Sequence, residues 1–239
     1  MLAGVIFDLD GVLADTHPVH RRAWRQFLLE RGRQVSDQEL DFVLEGRKRE
    51  DILQHFLGSL SPAEVRSYGE RKHELFEQSA DQVGAIPGVM GFIEQCQNSG
   101  LPLAVATSAG KRRAHSILER LGLAGRFSAV VTGDDVSRGK PDPSVFQQAV
   151  AEMCLLPEGL LVAEDSQAGI HAAKSAGMKC LGIARGGLAA RLHREGADWV
   201  VGDFREISLA LIEQLFSARR VGTEIPMHDS EFSRIAEQN

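Results

Sequence analysis

The sequence predicts an α/β fold with a doubly wound core, built on a parallel sheet and interrupted by a helical insert. Short apolar runs recur along the chain, at residues 4–10, 101–107, 128–132, 159–165, 179–184 and 198–201. Segments with apolar residues at helical spacing separate most of these runs. Nearly continuous apolar strands that alternate with helices are typical of a parallel sheet covered on both faces.

The helical insert follows the first predicted strand. Its apolar spacing predicts helices over residues 17–32, 36–46, 49–58 and 61–79, and Ser61 followed by Glu64 has the spacing of a capping box. We therefore assign residues 1–14 and 85–216 to the core and residues 15–84 to a helical cap. Residues 217–239 lack sustained periodicity, so we expect a loosely attached, disordered tail there.

Composition and charge exclude several classes of protein. The net charge of −6 and the isoelectric point near 5.8 do not favour a nucleic-acid partner. The three cysteines are widely spaced and form neither a disulfide framework nor a CxxC metal site, which fits the reducing cytoplasm. The sequence has no apolar run long enough to span a membrane and no exposed apolar stripe. We expect a cytoplasmic monomer without a membrane partner.

Chemically active side chains follow several of the predicted strands. They are Asp8 and Asp10 after the first strand, Thr107 and Ser108 after the second, Lys140 in the loop beyond the third, and Glu164 and Asp165 after the fourth. Ligands of an open parallel sheet bind outside the carboxyl ends of its strands. Each group alone can be explained as part of a turn, as a helix cap or as a solvated surface residue. These explanations do not account for the position of all the groups, in chain order, at one edge of the sheet.

Phosphoryl transfer explains the set. Neighbouring carboxylates repel each other and need a cation, and an all-oxygen site with few ligands suits Mg²⁺. Asp8 could attack phosphorus, with Lys140 and Thr107 binding the phosphoryl oxygens. Asp10 lies two residues further on and faces the same way in an extended chain, so it could move the proton.

The sequence resembles the haloacid dehalogenase superfamily over residues 1 to about 215. Its motifs match DLDGV at residues 8–12, Thr107, Lys140 and the Glu164-Asp165 pair. The resemblance implies a Rossmann-like core with an inserted α-helical cap and an aspartyl phosphate formed on Asp8. It also implies Mg²⁺ held by Asp8, Asp10, Glu164 and Asp165, with Asp10 contributing its carbonyl.

Within that superfamily the chain looks most like the β-phosphoglucomutase and sugar-phosphatase subgroup. The matching segments are DTHPVHRRAW at residues 15–24, EGRKREDIL at 45–53, ERKHE at 70–74 and EDSQAGI at 164–170. The resemblance implies substrate binding by Thr16, His20, Arg49 and Lys72, with His20 assisting Asp10 and Arg49 gripping the distal phosphate of a bisphosphate.

One segment departs from the pattern of the mutases. After Thr107 and Ser108 the chain reads Ala109-Gly110, which offers no side-chain donors for a second phosphate. Lys111 or Arg112 could replace them one position out of phase, and we assign Ser108 and Lys111 to substrate binding. Hydrolysis is therefore the favoured prediction. The predicted enzyme is an Mg²⁺-dependent phosphatase that acts on a small phosphomonoester, a sugar phosphate, through an aspartyl phosphate.

Two alternatives stay open at this stage. A β-phosphoglucomutase would interconvert β-glucose 1-phosphate and glucose 6-phosphate, so that a sugar hydroxyl rather than water receives the phosphoryl group from Asp8. A non-catalytic phosphosugar-binding protein would keep the fold without turnover. In all three cases the partner is a small phosphorylated metabolite.

Overall fold

A six-stranded parallel sheet forms the centre of the computed structural model, which describes residues 1–184 and 186–218. The strands are β1 (Gly4–Phe7), β2 (Leu103–Ala106), β3 (Ala129–Val131), β4 (Leu160–Glu164), β5 (Lys179–Ile183) and β6 (Trp199–Val201). Each lies within one of the predicted apolar runs. Their order across the sheet is β3-β2-β1-β4-β5-β6, so the chain starts in the middle and winds outward in both directions. The predicted fold class is confirmed.

The insert between β1 and β2 is helical, as predicted. It contains α1 (His17–Leu29), α2 (Arg49–Leu57) and α3 (Pro62–Glu77), together with 3₁₀ helices at Glu39–Leu44 and Ala80–Gln82. The capping box at α3 is present, because Ser61 Oγ accepts from the Glu64 amide and the Glu64 carboxylate accepts from the Ser61 amide. Buried side chains of α1 and α3, Trp24, Phe27 and Phe76 among them, form the interior of the insert.

The segment at residues 36–46 differs from the prediction. An α-helix was expected there, but the chain forms a 3₁₀ helix over Glu39–Leu44. Leu40 and Val43 are its buried residues. Side chains three residues apart align in a 3₁₀ helix, so this tighter winding turns both toward the interior.

Helices cover both faces of the sheet. The helices α4 (Val89–Asn98), α5 (Lys111–Arg120) and α9 (Leu209–Ala218) pack on the face that carries Phe7, and α6 (Ser144–Met153), α7 (Gln167–Ser175) and α8 (Gly187–Arg194) pack on the face that carries Ile6. Successive side chains of β1 thus enter opposite cores, which requires a continuously apolar strand.

Polar contacts hold the insert against one edge of the sheet. Ser108 Oγ, after β2, donates to the Gly46 carbonyl at 2.6 Å, and Lys48 Nζ donates to the Val136 carbonyl at 2.6 Å. The insert therefore closes over the carboxyl ends of the strands.

The sequence also predicted the ends of the insert, the tail and the absence of a membrane span. The boundaries of the insert at residues 15 and 84 stay a prediction. The predicted tail lies outside the described residues, apart from residues 217 and 218, which belong to α9. Among the described helices, none has the length and apolar character needed to cross a membrane.

Candidate active site

The active-site candidates converge because β1 is paired with both β2 and β4. Phe7 lies opposite Val105 on one side and Ala163 on the other. Parallel strands in this register end together, so the residues that follow them share one edge of the sheet. Asp8 and Thr107 come directly after β1 and β2, and Glu164 ends β4.

Lys140 is buried at the centre of this edge. Its ammonium donates to Asp8 Oδ1 at 2.7 Å, to Glu164 Oε1 at 2.6 Å and to the Ala106 carbonyl at 3.1 Å. Burial opposes the charge, but the two carboxylates outweigh it and raise the pKa of Lys140. The side chain is therefore a fixed cation that holds Asp8 in place.

Glu164 does not have the arrangement expected of a metal ligand. Its Oε1 accepts from Lys140, and its Oε2 accepts from the amides of Asp165 and Ser166 at 2.8 Å each and from Ser166 Oγ at 2.9 Å. The side chain is fully buried. These contacts argue against the predicted metal role of Glu164 and indicate that it positions Lys140 and the loop that carries Asp165.

Unlike Glu164, Asp165 lines the cavity. Its buried Oδ2 forms an ion pair with His17 Nε2 at 2.8 Å. Gly11 leaves room at this oxygen. A Cβ on Gly11 would lie 1.9 Å from Asp165 Oδ2, and the φ of Gly11 is +74°. His17 is therefore the cationic partner of this oxygen here, and a metal cation bound to Asp165 would compete with it.

The residues at this edge fit Mg²⁺ bound through a small number of protein oxygens. No group of three or more His, Cys, Asp or Glu side chains within residues 1–184 and 186–218 is arranged to hold a metal ion alone. Mg²⁺ usually takes one or two carboxylates and keeps water or substrate phosphate as its other ligands. Asp8 and Asp165, with the Asp10 carbonyl, match that requirement.

Asp10 contacts three side chains, two from the start of α1 and one from α5. Thr16 Oγ1 donates to Oδ1 at 2.7 Å, and the Arg113 guanidinium donates to both carboxylate oxygens at 2.7 Å. His20 Nε2 lies 3.3 Å from the same Oδ1. Burial raises the pKa of Asp10, but Arg113 and His20 outweigh it and hold that pKa well below its usual range. Thr16, predicted to bind substrate, contacts Asp10 and does not line the cavity.

His20 connects Asp10 to Lys72 of α3. Lys72 Nζ lies 2.7 Å from His20 Nδ1, and both side chains are buried. A lysine amine, charged or neutral, can donate to Nδ1, and the imidazole proton then lies on Nε2, facing Asp10. Burial and the Lys72 charge lower the pKa of His20 to about 3, and burial with the Arg113 charge lowers the pKa of Lys72. His20 is therefore neutral.

The carboxylates open onto a cavity of about 540 Å³ between the sheet edge and the insert. That volume lies within the range of small-molecule sites, roughly 300–1,000 Å³. The predicted site residues that line it are Asp8, Asp10, His20, Arg49, Lys72, Thr107, Ser108 and Asp165. Lys140, Glu164 and Thr16 lie behind this surface and act through their contacts.

The structure separates the two basic residues considered after Thr107, because Arg112 lines the cavity. Lys111 is exposed and does not line the cavity, so its predicted role in substrate binding is not supported. Arg113, two residues later on α5, faces the cavity and pairs with Asp10. His17 was also missed. The sequence signal for both was their closeness to motif residues: His17 follows Thr16, and Arg113 ends the basic run after Gly110.

Paired carboxylates at the end of β1, a buried lysine and a cavity lined by acidic and basic side chains define a site of the phosphoryl-transfer class on a Rossmann-like core. The model of the haloacid dehalogenase-like hydrolase family matches residues 5–183. The chain belongs to this family, and it is an enzyme of the phosphatase or phosphotransferase type.

Three similar proteins illustrate the range of the family. The β-phosphoglucomutase of Bacillus subtilis is 31% identical over 94% of this chain and 100% of its own length. The fructose-1-phosphate phosphatase of Escherichia coli is 33% identical over 76% of this chain and 96% of its own. The crystal structure of CbbY from Rhodobacter sphaeroides in complex with phosphate has a TM-score of 0.79 and 26% identity, covering 89% of this chain and 100% of that one.

Proposed function

We propose that this protein is an Mg²⁺-dependent phosphatase that hydrolyses a small sugar phosphate through an aspartyl phosphate on Asp8. The observation that carries the proposal is the division of contacts between two neighbouring carboxylates. Asp8 is fixed by the buried Lys140 ammonium at 2.7 Å, whereas Asp10 is bound by groups that also line the cavity. This division supports Asp8 as the nucleophile and Asp10 as the proton carrier.

In the first half of the reaction Asp8 attacks the phosphorus atom of the substrate. A bond forms between an Asp8 carboxylate oxygen and phosphorus, and the bond from phosphorus to the sugar oxygen breaks. Asp10, after separating from Arg113 and taking up a proton from solvent, gives that proton to the leaving oxygen. Lys140 neutralises charge beside Asp8, and Thr107, buried next to it in the lining, donates to a phosphoryl oxygen.

In the second half Asp10 takes a proton from water as the water oxygen attacks phosphorus. The bond between phosphorus and Asp8 breaks, and inorganic phosphate leaves with Asp8 restored. Closure of the insert through Ser108 and Lys48 excludes bulk water from the earlier step. Mg²⁺, held by Asp8, Asp165 and the Asp10 carbonyl, would supply positive charge to the phosphoryl oxygens.

Phosphate release from a panel of sugar phosphates tests this proposal. The wild type should release phosphate with Mg²⁺ and stop in EDTA. Asp8→Asn should have no measurable turnover, because an amide is not a competent nucleophile. Asp81→Asn is the matched control, since Asp81 is an exposed carboxylate of the insert. Turnover that survives in Asp8→Asn would show that the covalent mechanism is wrong.

A phosphoglucomutase is the second candidate. It is favoured by Arg49, which faces the cavity from the start of α2, and by the full-length similarity to a named β-phosphoglucomutase. Phosphorus NMR with β-glucose 1-phosphate, Mg²⁺ and a trace of glucose 1,6-bisphosphate separates the two. A phosphatase yields inorganic phosphate, and a mutase yields glucose 6-phosphate. Arg49→Ala should impair a mutase far more than a phosphatase of small monoesters.

The proposal also covers the partner, the location and the oligomeric state of this protein. A small phosphorylated metabolite is the expected partner, and we expect a cytoplasmic monomer. The non-catalytic alternative loses support, because family membership indicates an enzyme and because Asp8, Asp10 and Lys140 are all present.

A further inference from the structure

Lys48 joins the helical insert to the loop that carries Lys140. It is the residue directly before α2, and its Nζ donates to the Val136 carbonyl at 2.6 Å. Its stem lies over Gly139, where an added Cβ would be 2.5 Å from Lys48 Cγ and 3.0 Å from Lys48 Cδ. One end of the side chain therefore binds the loop, and the stem packs against the residue next to Lys140.

The loop has little internal support at its centre. It covers residues 132–143, between β3 and α6. The Asp135 amide donates to the Thr132 carbonyl near one end, and the Asp142 amide donates to the Gly139 carbonyl near the other. Among the described residues, no backbone–backbone hydrogen bond involves positions 136–138. A segment without such bonds opens at low free-energy cost, so the contact from Lys48 is the support that the loop lacks.

Gly46 approaches Lys140 from the other side. The Gly46 carbonyl accepts from Ser108 Oγ at 2.6 Å, and an added Cβ at Gly46 would lie 2.2 Å from Ser166 Oγ. Ser166 Oγ in turn donates to Glu164 Oε2, and Glu164 Oε1 accepts from Lys140. The insert therefore touches both the loop ahead of Lys140 and the residues that bind its ammonium.

The bond between Lys48 and Val136 depends on contact between the insert and the core. Lys48 belongs to the insert and Val136 to the core, and the bond is partly buried. An ammonium donor makes a stronger hydrogen bond than a neutral one does, because the bond is charge-assisted. The loop is thus held at its centre only while the insert lies against the sheet edge.

We propose that Lys48 is a positioning residue for Lys140, which it places beside Asp8 by binding the loop ahead of Lys140 when the insert closes. The inference rests on the proposed phosphatase function and adds a residue through which the insert acts on the chemistry. Lys140 neutralises charge beside Asp8, so a Lys140 that is free to move slows formation of the aspartyl phosphate. Lys48 acts through the loop and not on the reacting atoms.

Four variants at two positions separate the parts of this contact. Lys48→Met keeps most of the stem and removes the donor, whereas Lys48→Arg keeps a cationic donor. Gly139→Ala pushes the stem away from the loop, and it is made both alone and with Lys48→Ala. Arg66→Met is the matched control, because Arg66 is an exposed cation of the insert on α3. Circular dichroism checks that each variant is folded.

Trypsin cleavage between Arg138 and Gly139 measures the loop without any substrate or Mg²⁺. The Arg138 side chain is 76% exposed, so cleavage there is limited by opening of the backbone. Mass spectrometry identifies the fragments that end at residue 138. Lys48→Met should be cut at this bond about ten-fold or more faster than the wild type, as expected for the loss of one charged hydrogen bond. Arg66→Met should be cut there at the wild-type rate.

Phosphate release with Mg²⁺ measures the effect on Lys140. Lys48→Met should lower kcat about ten-fold or more and change KM much less, because the loss is in the placement of Lys140. Lys48→Arg should restore kcat in part. Gly139→Ala should lower kcat in the wild type but have little further effect in Lys48→Ala, where the new Cβ meets no stem.

Three results would overturn the inference. They are an unchanged rate of cleavage after Arg138 in Lys48→Met, a loss confined to KM, and additive effects of Gly139→Ala and Lys48→Ala. A loss confined to KM would reduce Lys48 to a fastening of the insert. Absence of phosphate release from the wild type with every substrate would instead overturn the proposed function, and trypsin cleavage would still decide whether Lys48 holds the loop.

Discussion

His17 and His20 lie one turn apart on α1, yet their surroundings shift their pKa values in opposite directions. Burial lowers the pKa of His17, but the Asp165 carboxylate at 2.8 Å outweighs it and raises the pKa to about 9. Burial, together with the Lys72 ammonium, lowers the pKa of His20 to about 3. At neutral pH one imidazole is charged beside the metal-site candidate, and the other is neutral beside Asp10.

His17→Gln should alter the pH dependence of stability in the alkaline range. The folded pKa of about 9 lies above the ordinary 6.5, so the stabilisation by His17 is complete below pH 6.5 and is lost as the pH rises through 9. The slope is at most about 1.4 kcal/mol per pH unit. Urea unfolding of wild type and variant in EDTA measures it. Mg²⁺ should shrink the difference by competing for Asp165. Parallel stability curves would contradict the ion pair.

His20→Gln should alter the pH dependence of stability in the acidic range. The folded pKa of about 3 lies below 6.5, so the unfolded chain binds more protons between these values and the wild type loses stability as the pH falls through this window. The variant lacks this contribution. The difference in the free energy of unfolding between the two proteins should therefore move in favour of the variant as the pH falls below 6.5. Urea midpoints at pH 7.5, 6.5 and 5.5 test it. A difference in urea midpoint between variant and wild type that stays constant over this range would show that His20 is not held neutral.

Glu164→Gln and Asp165→Asn should have different effects although the residues are adjacent. Glu164→Gln removes a partner of the buried Lys140 charge and should cost about 2–4 kcal/mol of folding free energy. Asp165→Asn should cost the stabilisation of the His17 ion pair, which burial of the Asp165 carboxylate partly offsets. Only Asp165→Asn should abolish the rise in melting temperature with Mg²⁺. The reverse pattern would restore Glu164 as the metal ligand.

Gly11→Ala and Gly32→Ala separate backbone strain from obstruction of the site. The two glycines have φ values of +74° and +73°. A Cβ at Gly32 meets nothing within 4 Å, whereas one at Gly11 would lie 1.9 Å from Asp165 Oδ2. Both variants should lose about 1–2 kcal/mol from left-handed strain. Only Gly11→Ala should also lose turnover and the Mg²⁺-dependent thermal shift, and retention of both would argue against a cation beside Asp165.

The strands and the first carboxylates were predictable because their signals are local. A strand such as Gly4–Phe7, buried on both faces of the sheet, must be continuously apolar. A polar residue that ends such a run must then lie at the edge of the sheet, which places Asp8 and Glu164 without knowledge of any distant contact. The capping box at Ser61 could be predicted because its two residues are only three positions apart in the sequence.

The sequence by itself determined the α/β core, the helical insert and the arrival of Asp8, Thr107 and Lys140 at one edge. Only the tertiary structure decided which charged side chains face one another. Arg113 rather than Lys111 reaches Asp10, because the register of α5 is set by packing against the sheet. Glu164 binds Lys140, whose position 24 residues earlier in the chain carries no mark of that contact. Side-chain partners depend on distances between segments, and no local pattern encodes these distances.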